Sequence, residues 1–279
     1  MSSPFDAVVF AGGGNRCLWQ AGFYEVVAPA IGLVPERCSG SSAGATIACL
    51  LFAGRAVDAL EHFREATGAN PSNVYPRNAL RGKPVFPHYA MYRRVIVDVI
   101  GDDGFQRLLA GPEIRVQLTR LPRWVGPRAG VLLGLMAYSV EKVLSSPVHP
   151  RAGHRVGFVS ELGSVGDCAN VEELADLLLG SSCVPPFTPV LRLGGRTVLD
   201  GGVVENVPVA AVEPDSQKIL VLLTRSYPAH RIPKDPRRTY AMPSRPIPIS
   251  KFDYTNPKGL DIAYDLGRLD GEAFVKAWR

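Results

Sequence analysis

The chain has 279 residues, 46% of them hydrophobic and 20% charged, with a formal net charge of +5. That composition excludes a disordered or fibrous chain, and the length suffices for one large domain or two smaller ones. The positive charge is local: Arg225 to Lys251 holds seven basic residues against one acidic residue, Asp235, and no recognised nucleic-acid-binding motif accompanies it, so nucleic acid is not expected as a partner.

Taken in chain order, "DAVVF" reads as a buried strand, followed by a glycine loop and a helix over Leu18 to Val27. A short segment, Arg37 to Gly40, leads into "SAGATIACLLFAG", which is apolar on nearly every side and predicts a helix inside the domain. Val57 to Ala66 has helical spacing, Gly68 to Pro87 reads as loop, and "HYAMYRRVIVDVIG" resumes the helix. "IRVQLTRL" and "RVGFVS" read as strands, Val171 to Leu179 as a helix capped by Asn170, and "RTVLD" and "KILVLLT" as further strands before a C-terminal helix, Leu260 to Trp278. Strands alternating with helices imply an α/β sheet with helices on both faces, here as a single domain over 1–279. The stretch 225–251 also carries six prolines, which predicts an irregular surface excursion suited to an acidic or lipid partner.

The longest apolar run, Ala129 to Val140, is too short to cross a bilayer, and the N-terminus lacks the basic start of a signal peptide. Five cysteines, Cys17, Cys38, Cys49, Cys168 and Cys183, show no CxxC spacing and no histidine partners, which argues for reduced thiols in a cytoplasmic setting and against a zinc site.

Four stretches carry chemistry. In "FAGGGNRCLWQAG", Cys17 stands where a dinucleotide fingerprint needs glycine and no Walker lysine follows, leaving a strand-to-helix turn that either packs tightly or offers N–H groups to a negative oxygen. "GSSAG" fits GxSxG with Ser42 central and Gly40 and Gly44 flanking it, a nucleophile elbow or else a small-residue helix start. "GSSCVPPFTPV" turns a helix toward a strand, and "LDGGVVENVPV" puts Asp200 before Gly201 and Gly202, which in isolation is a turn.

In this order and context the four resemble the patatin-like phospholipase family over most of the chain. The resemblance implies a three-layer α/β/α sandwich with a mostly parallel central sheet, and a lipid acyl hydrolase acting on phospholipid or other ester substrates. It implies an oxyanion hole at Gly12, Gly13, Gly14 and Arg16, the basic residue behind the glycines, with Ser42 as nucleophile, Asp200 as its partner in a dyad, and no metal or organic cofactor. Gly22 also matches, whereas Cys17 departs from a common glycine, and Gly68 to Gly153 matches no motif. A carboxylate is a weak base unless desolvated, so the dyad requires Asp200 held close against Ser42.

Two other schemes compete. A Ser-His-Asp triad would draw on His62, His88, His149, His154 or His230, of which only His230 follows Asp200 and the rest read as surface or loop residues; a non-catalytic lipid-binding protein would need neither Ser42 nor Asp200. Arg120 to Leu144, with Arg123, Trp124 and Arg128 before an apolar stretch, is expected either as a membrane-facing lid or as a core helix.

Overall fold

A computed structural model describes residues 3–122, 148 and 157–278. At its centre lie two strands whose sequences are apolar without alternation, β1 (Ala7–Phe10) and β7 (Ile219–Leu222), buried at every position. Such strands need cover on both faces, the situation of a parallel sheet between two layers. The sheet adds β2 (Arg37–Ser41), β3 (Glu113–Arg120), β4 (Val159–Ser164), β5 (Leu191–Leu193), β6 (Arg196–Asp200) and β8 (Arg238–Ala241). Its order is β5-β6-β3-β2-β1-β7-β8, with β4 also paired to β3. β3, β2, β1, β7 and β8 run parallel, and β4, β5 and β6 run antiparallel to their neighbours.

One face of the sheet carries α1 (Leu18–Ile31), α2 (Ala43–Phe52), α3 (Ala56–Gly68), α4 (His88–Leu109), α5 (Val171–Ser181) and α6 (Pro257–Trp278). Val8, Phe10, Cys38, Ile114, Val116, Leu220 and Leu222 pack into that layer. The alternate residues Ala7, Val9, Ile219 and Val221 meet Val207, Val209, Val212 and Tyr227 on the opposite face, covered partly by short 3-10 turns at Val209–Ala211 and Glu213–Asp215.

α1 and α6 approach through glycines. A Cβ on Gly22 would press on the carbonyl of Tyr264, and one on Gly267 on the carbonyl of Trp19, so both helices must lack a side chain there. Gly267→Ala is expected to lower unfolding free energy by about 1–3 kcal/mol, read by urea denaturation, because a rigid backbone oxygen blocks the methyl.

The register positions the site. β3 pairs Gln117 with Ser41 of β2 and the next residue, Leu118, with Asp200 of β6. Because β4 occupies the other edge of β3 over residues 115–120, β2 and β6 share one edge end to end. The end of β2 and the end of β6 therefore meet, and Ser42 and Asp200 follow from that junction although 158 positions separate them.

Several expectations are corrected. The strand expected at "RVGFVS" begins only at Val159 and runs to Ser164: Gly157 has a left-handed φ of 87°, and pairing with β3 rather than local alternation sets the strand. The stretch 225–251 is not wholly irregular, since its proline-free centre pairs as β8 with β7. Its charge is also partly neutralised: Arg237 and Arg238 form ion pairs with Asp235 and with Glu213, which lies outside the stretch. Arg120 is not a lid residue. It is 6% exposed, and its guanidinium binds Glu161 and the carbonyls of Leu193 and Arg196. The remainder of the suggested lid, from Arg123 to Leu144, lies outside the described residues. Among the described residues no helix is long and apolar enough to cross a membrane.

Candidate active site

Ser42 sits between β2 and α2 with φ 54° and ψ −136°, among the described residues the one non-glycine with positive φ. Strain of this kind costs on the order of 1–3 kcal/mol and persists only where the surroundings impose it. The surroundings are tight: a Cβ on Gly40 would meet the backbone of Ala45 at 2.5 Å, and one on Gly44 the carbonyls of Phe10 and Ala11 at 2.5 Å. Ser181 supplies the fixing bond. Its Oγ accepts the Ser42 N–H at 2.8 Å and donates to the Gln117 carbonyl at 2.7 Å, so the serine of the third motif locks the elbow to β3.

A serine at a helix N-terminus ordinarily caps the first turn. Ser42 makes no such cap; it lines one cavity together with Asp200, and its hydroxyl lowers the pKa of that carboxyl. Asp200 accepts the Gly202 N–H at 2.7 Å. Burial raises the Asp200 pKa from its ordinary value, opposed by the Ser42 hydroxyl, the Gly202 N–H and the positive charge of Lys251. Gly201 is required because a Cβ there would overlap the Gln117 carbonyl, and one on Gly202 would crowd Asn206 and Asp200, both at 2.8 Å.

The glycine loop closes the third side. Gly12 is held at both ends of its peptide: its N–H donates to the Asn206 carbonyl at 2.9 Å, and its own carbonyl accepts from Asn206 Nδ2 at 3.1 Å and Thr224 Oγ1 at 2.8 Å. The expectation that all three glycines offer N–H donors is thus narrowed, since Gly12 contributes clearance, a Cβ there meeting Asn206 at 2.7 Å. For Gly13 and Gly14 the described residues provide no N–H acceptor. Gly14 has φ 58° and lies against the Lys251 backbone, a position closed to any side chain. Arg16 Nε donates to the Ile249 carbonyl at 3.0 Å and ties down the segment leading to Lys251. Cys17 fits because its backbone is right-handed helical, and its buried thiol, its pKa pushed up by burial, donates to the Ala11 carbonyl.

Two cavities meet at Gly14, Ser42, Lys251 and Phe252. The first, about 90 Å³, is walled chiefly by apolar groups including Ile47, Leu50, Phe63, Val95, Phe187 and Tyr254. The second, about 120 Å³, lies on the Asp200 side against Val184, Leu199 and Val203. His88 was expected at the surface or in a loop. It is instead 3% exposed in the wall of the apolar cavity, its Nε2 2.8 Å from the Phe252 carbonyl and its ring against Tyr254 and Phe187, and burial lowers its pKa. His230 lies exposed in a 3-10 turn at Ala229–Arg231.

Sequence reasoning missed the supporting residues. Asn206 lies inside the quoted Asp200 motif but carries no signature of its own, Thr224 ends a strand, and Lys251 and Phe252 belong to a segment read only for its charge. Asn206, Thr224 and Lys251 act through contacts to the glycine loop over 190 positions or more, and Phe252 through one to His88 over 164, which no local pattern encodes.

The family model of patatin-like phospholipases matches residues 8–212, which include Ser42 and Asp200. Among solved structures, the crystal structure of VipD from Legionella pneumophila superposes with a TM-score of 0.52 at 12% identity, covering 99% of this chain and 67% of that one, a likeness of fold. No curated protein matches the sequence significantly. The fold, a mostly parallel mixed sheet flanked by helices, and the match across most of its length place this chain in the patatin-like phospholipase family.

Proposed function

We propose that the protein is a serine lipid acyl hydrolase of the phospholipase A or carboxylic ester hydrolase type, with Ser42 as nucleophile and Asp200 as its base. The observation that carries this reading is the convergence of Ser42 and Asp200 on one cavity, a strained serine beside a carboxyl whose pKa is raised by burial and lowered by the serine hydroxyl. Ser42 Oγ attacks the ester carbonyl while Asp200 takes its proton; the C–O bond then breaks and Asp200 returns the proton to the departing alcohol. Water attacks the acyl-serine by the same route and releases the fatty acid. A carboxyl whose pKa is raised by burial is a better base near neutral pH than an exposed one.

Charge that develops on the carbonyl oxygen is met by the N–H groups of Gly13 and Gly14 and by the N-terminus of α2. The apolar cavity suits the acyl chain, and the cavity beside Asp200 suits the alcohol portion of the ester. The Nε2 of His88 is committed to the Phe252 carbonyl, and no histidine is among the described residues that line the cavity shared by Ser42 and Asp200, which supports a dyad over a triad.

The test is product analysis: incubated with phospholipid and with a short-chain chromogenic ester, the protein is expected to release free fatty acid and the corresponding alcohol. Absence of both products under conditions where the protein stays folded would refute the reading.

A further inference from the structure

We propose that the loop from Tyr75 to Val85 is the surface by which this protein docks on an anionic lipid bilayer. Residues 66–97 hold five basic residues and no acidic one, a charge bias that the patterns discussed above did not use. Two of the five, Arg93 and Arg94, belong to α4, and Arg93 is paired with Glu172 and Asp176. The other three, Arg77, Arg81 and Lys83, are exposed, and among the described residues no carboxylate pairs with them. Between them stands Leu80, 91% exposed, with Val74 exposed nearby.

The loop is built to hold that leucine out. The Tyr75 N–H donates to the Val85 carbonyl at 2.8 Å and closes the base; Lys83 N–H donates to the Asn78 carbonyl at 2.9 Å, and Asn78 Nδ2 to the Pro84 carbonyl at 2.8 Å. A 3-10 turn over Pro76–Arg81 ends at Gly82, whose φ of 63° reverses the chain. Leu80 is therefore presented by a bonded frame, where an unfavourable exposure would otherwise be relieved by folding the loop back.

Position gives the exposed group a purpose. Phe86, just past the loop, packs on Phe187 and His88, which line the apolar cavity beside Ser42. Asn73 bonds the Tyr254 N–H and Asp253, and Asn70 the Tyr254 carbonyl, which fixes the loop to the segment that carries Lys251 and Phe252. A bilayer contacted at Leu80 would thus lie on the side of the molecule where that cavity is walled by Phe187 and His88. One leucine and one valine are far too little apolar area for a stable dimer interface. They suit shallow insertion at the headgroup boundary, where cations supply most of the attraction. The docking surface serves the acyl-hydrolase reading but does not require it, since lipid binding is measured without turnover.

The experiment uses Ser42→Ala protein and sedimentation with vesicles of phosphatidylcholine alone or mixed about equally with phosphatidylglycerol. Binding to the anionic vesicles only, weakening as salt rises, is expected. The triple substitution Arg77→Gln, Arg81→Gln, Lys83→Gln is expected to weaken it by about 100-fold, each cation near the surface being worth about fivefold. Leu80→Ser is expected to weaken it by about tenfold. In the wild-type background the same variants keep wild-type hydrolysis of a soluble short-chain ester. Vesicle binding that these substitutions leave unchanged, equal binding to neutral vesicles, or a dimer that Leu80→Ser dissociates without changing vesicle binding would overturn the proposal. Vesicle binding lost in the variants while wild-type protein hydrolyses no ester would support the docking surface and refute the acyl-hydrolase reading instead.

Discussion

Ser42→Ala is expected to lower kcat/KM on a short-chain ester by about a millionfold, the scale on which loss of a catalytic nucleophile acts in serine hydrolases. The neighbouring thiols offer no substitute. Cys17 and Cys183 line the two cavities, yet burial pushes both thiols upward in pKa and keeps them protonated, unsuited to attack. The same site makes a second, opposite expectation for stability. Ser42 occupies a left-handed conformation that glycine adopts freely, so Ser42→Gly should abolish hydrolysis while raising unfolding free energy by about 1 kcal/mol. Steady-state kinetics and urea denaturation on one pair of variants separate these two effects. A Ser42→Gly protein that lost stability would mean that the elbow is not strained.

Asp200→Asn is expected to reduce kcat/KM by about 10²–10⁴, because the amide keeps the Gly202 contact but cannot accept the serine proton. In the wild type, activity should fall as pH drops through the raised Asp200 pKa, since the base is then protonated. Stability runs the other way. A carboxyl whose pKa is raised by folding binds protons more tightly in the native state, so between its unfolded and folded values stability declines as pH rises. Above that window the buried charge costs its full amount. Asp200→Asn removes this cost, and its Tm at pH 7 is expected to exceed that of the wild type, with the difference vanishing once pH falls below the unfolded carboxylate range. A Tm lowered by the substitution at pH 7 would show that the charge is stabilising and that Asp200 is not the desolvated base.

How far the sequence revealed the site depends on how local each signal is. β1 and β7 were legible because "AVVF" and "ILVL" are apolar without alternation, and α5 because Asn170 does cap it, accepting the Glu173 N–H at 2.9 Å. Asp200 and Ser42 were legible through flanking glycines whose positions make sense only if backbones pass close by. β4 was misplaced because "ELGS" has little strand character of its own and is held by Arg120 and by pairing with β3. β8 hides between prolines, and the inward turn of His88 depends on a carbonyl 164 positions away. The resemblance supplied roles for Gly12 and Arg16 that the bonding reapportions: a peptide clamped by Asn206, and a guanidinium that anchors Ile249.

The proposed activation of the Ser42 hydroxyl by Asp200 is direct, with no imidazole between them. Reaction with a fluorophosphonate, followed by mapping of the modified residue and timing of its formation, tests it most directly. The expected result is one adduct, on Ser42, forming at wild-type rate in His230→Ala and slowed by about 10² or more in Asp200→Asn. An adduct on any other residue, or an Asp200→Asn protein that labels as fast as the wild type, would contradict it.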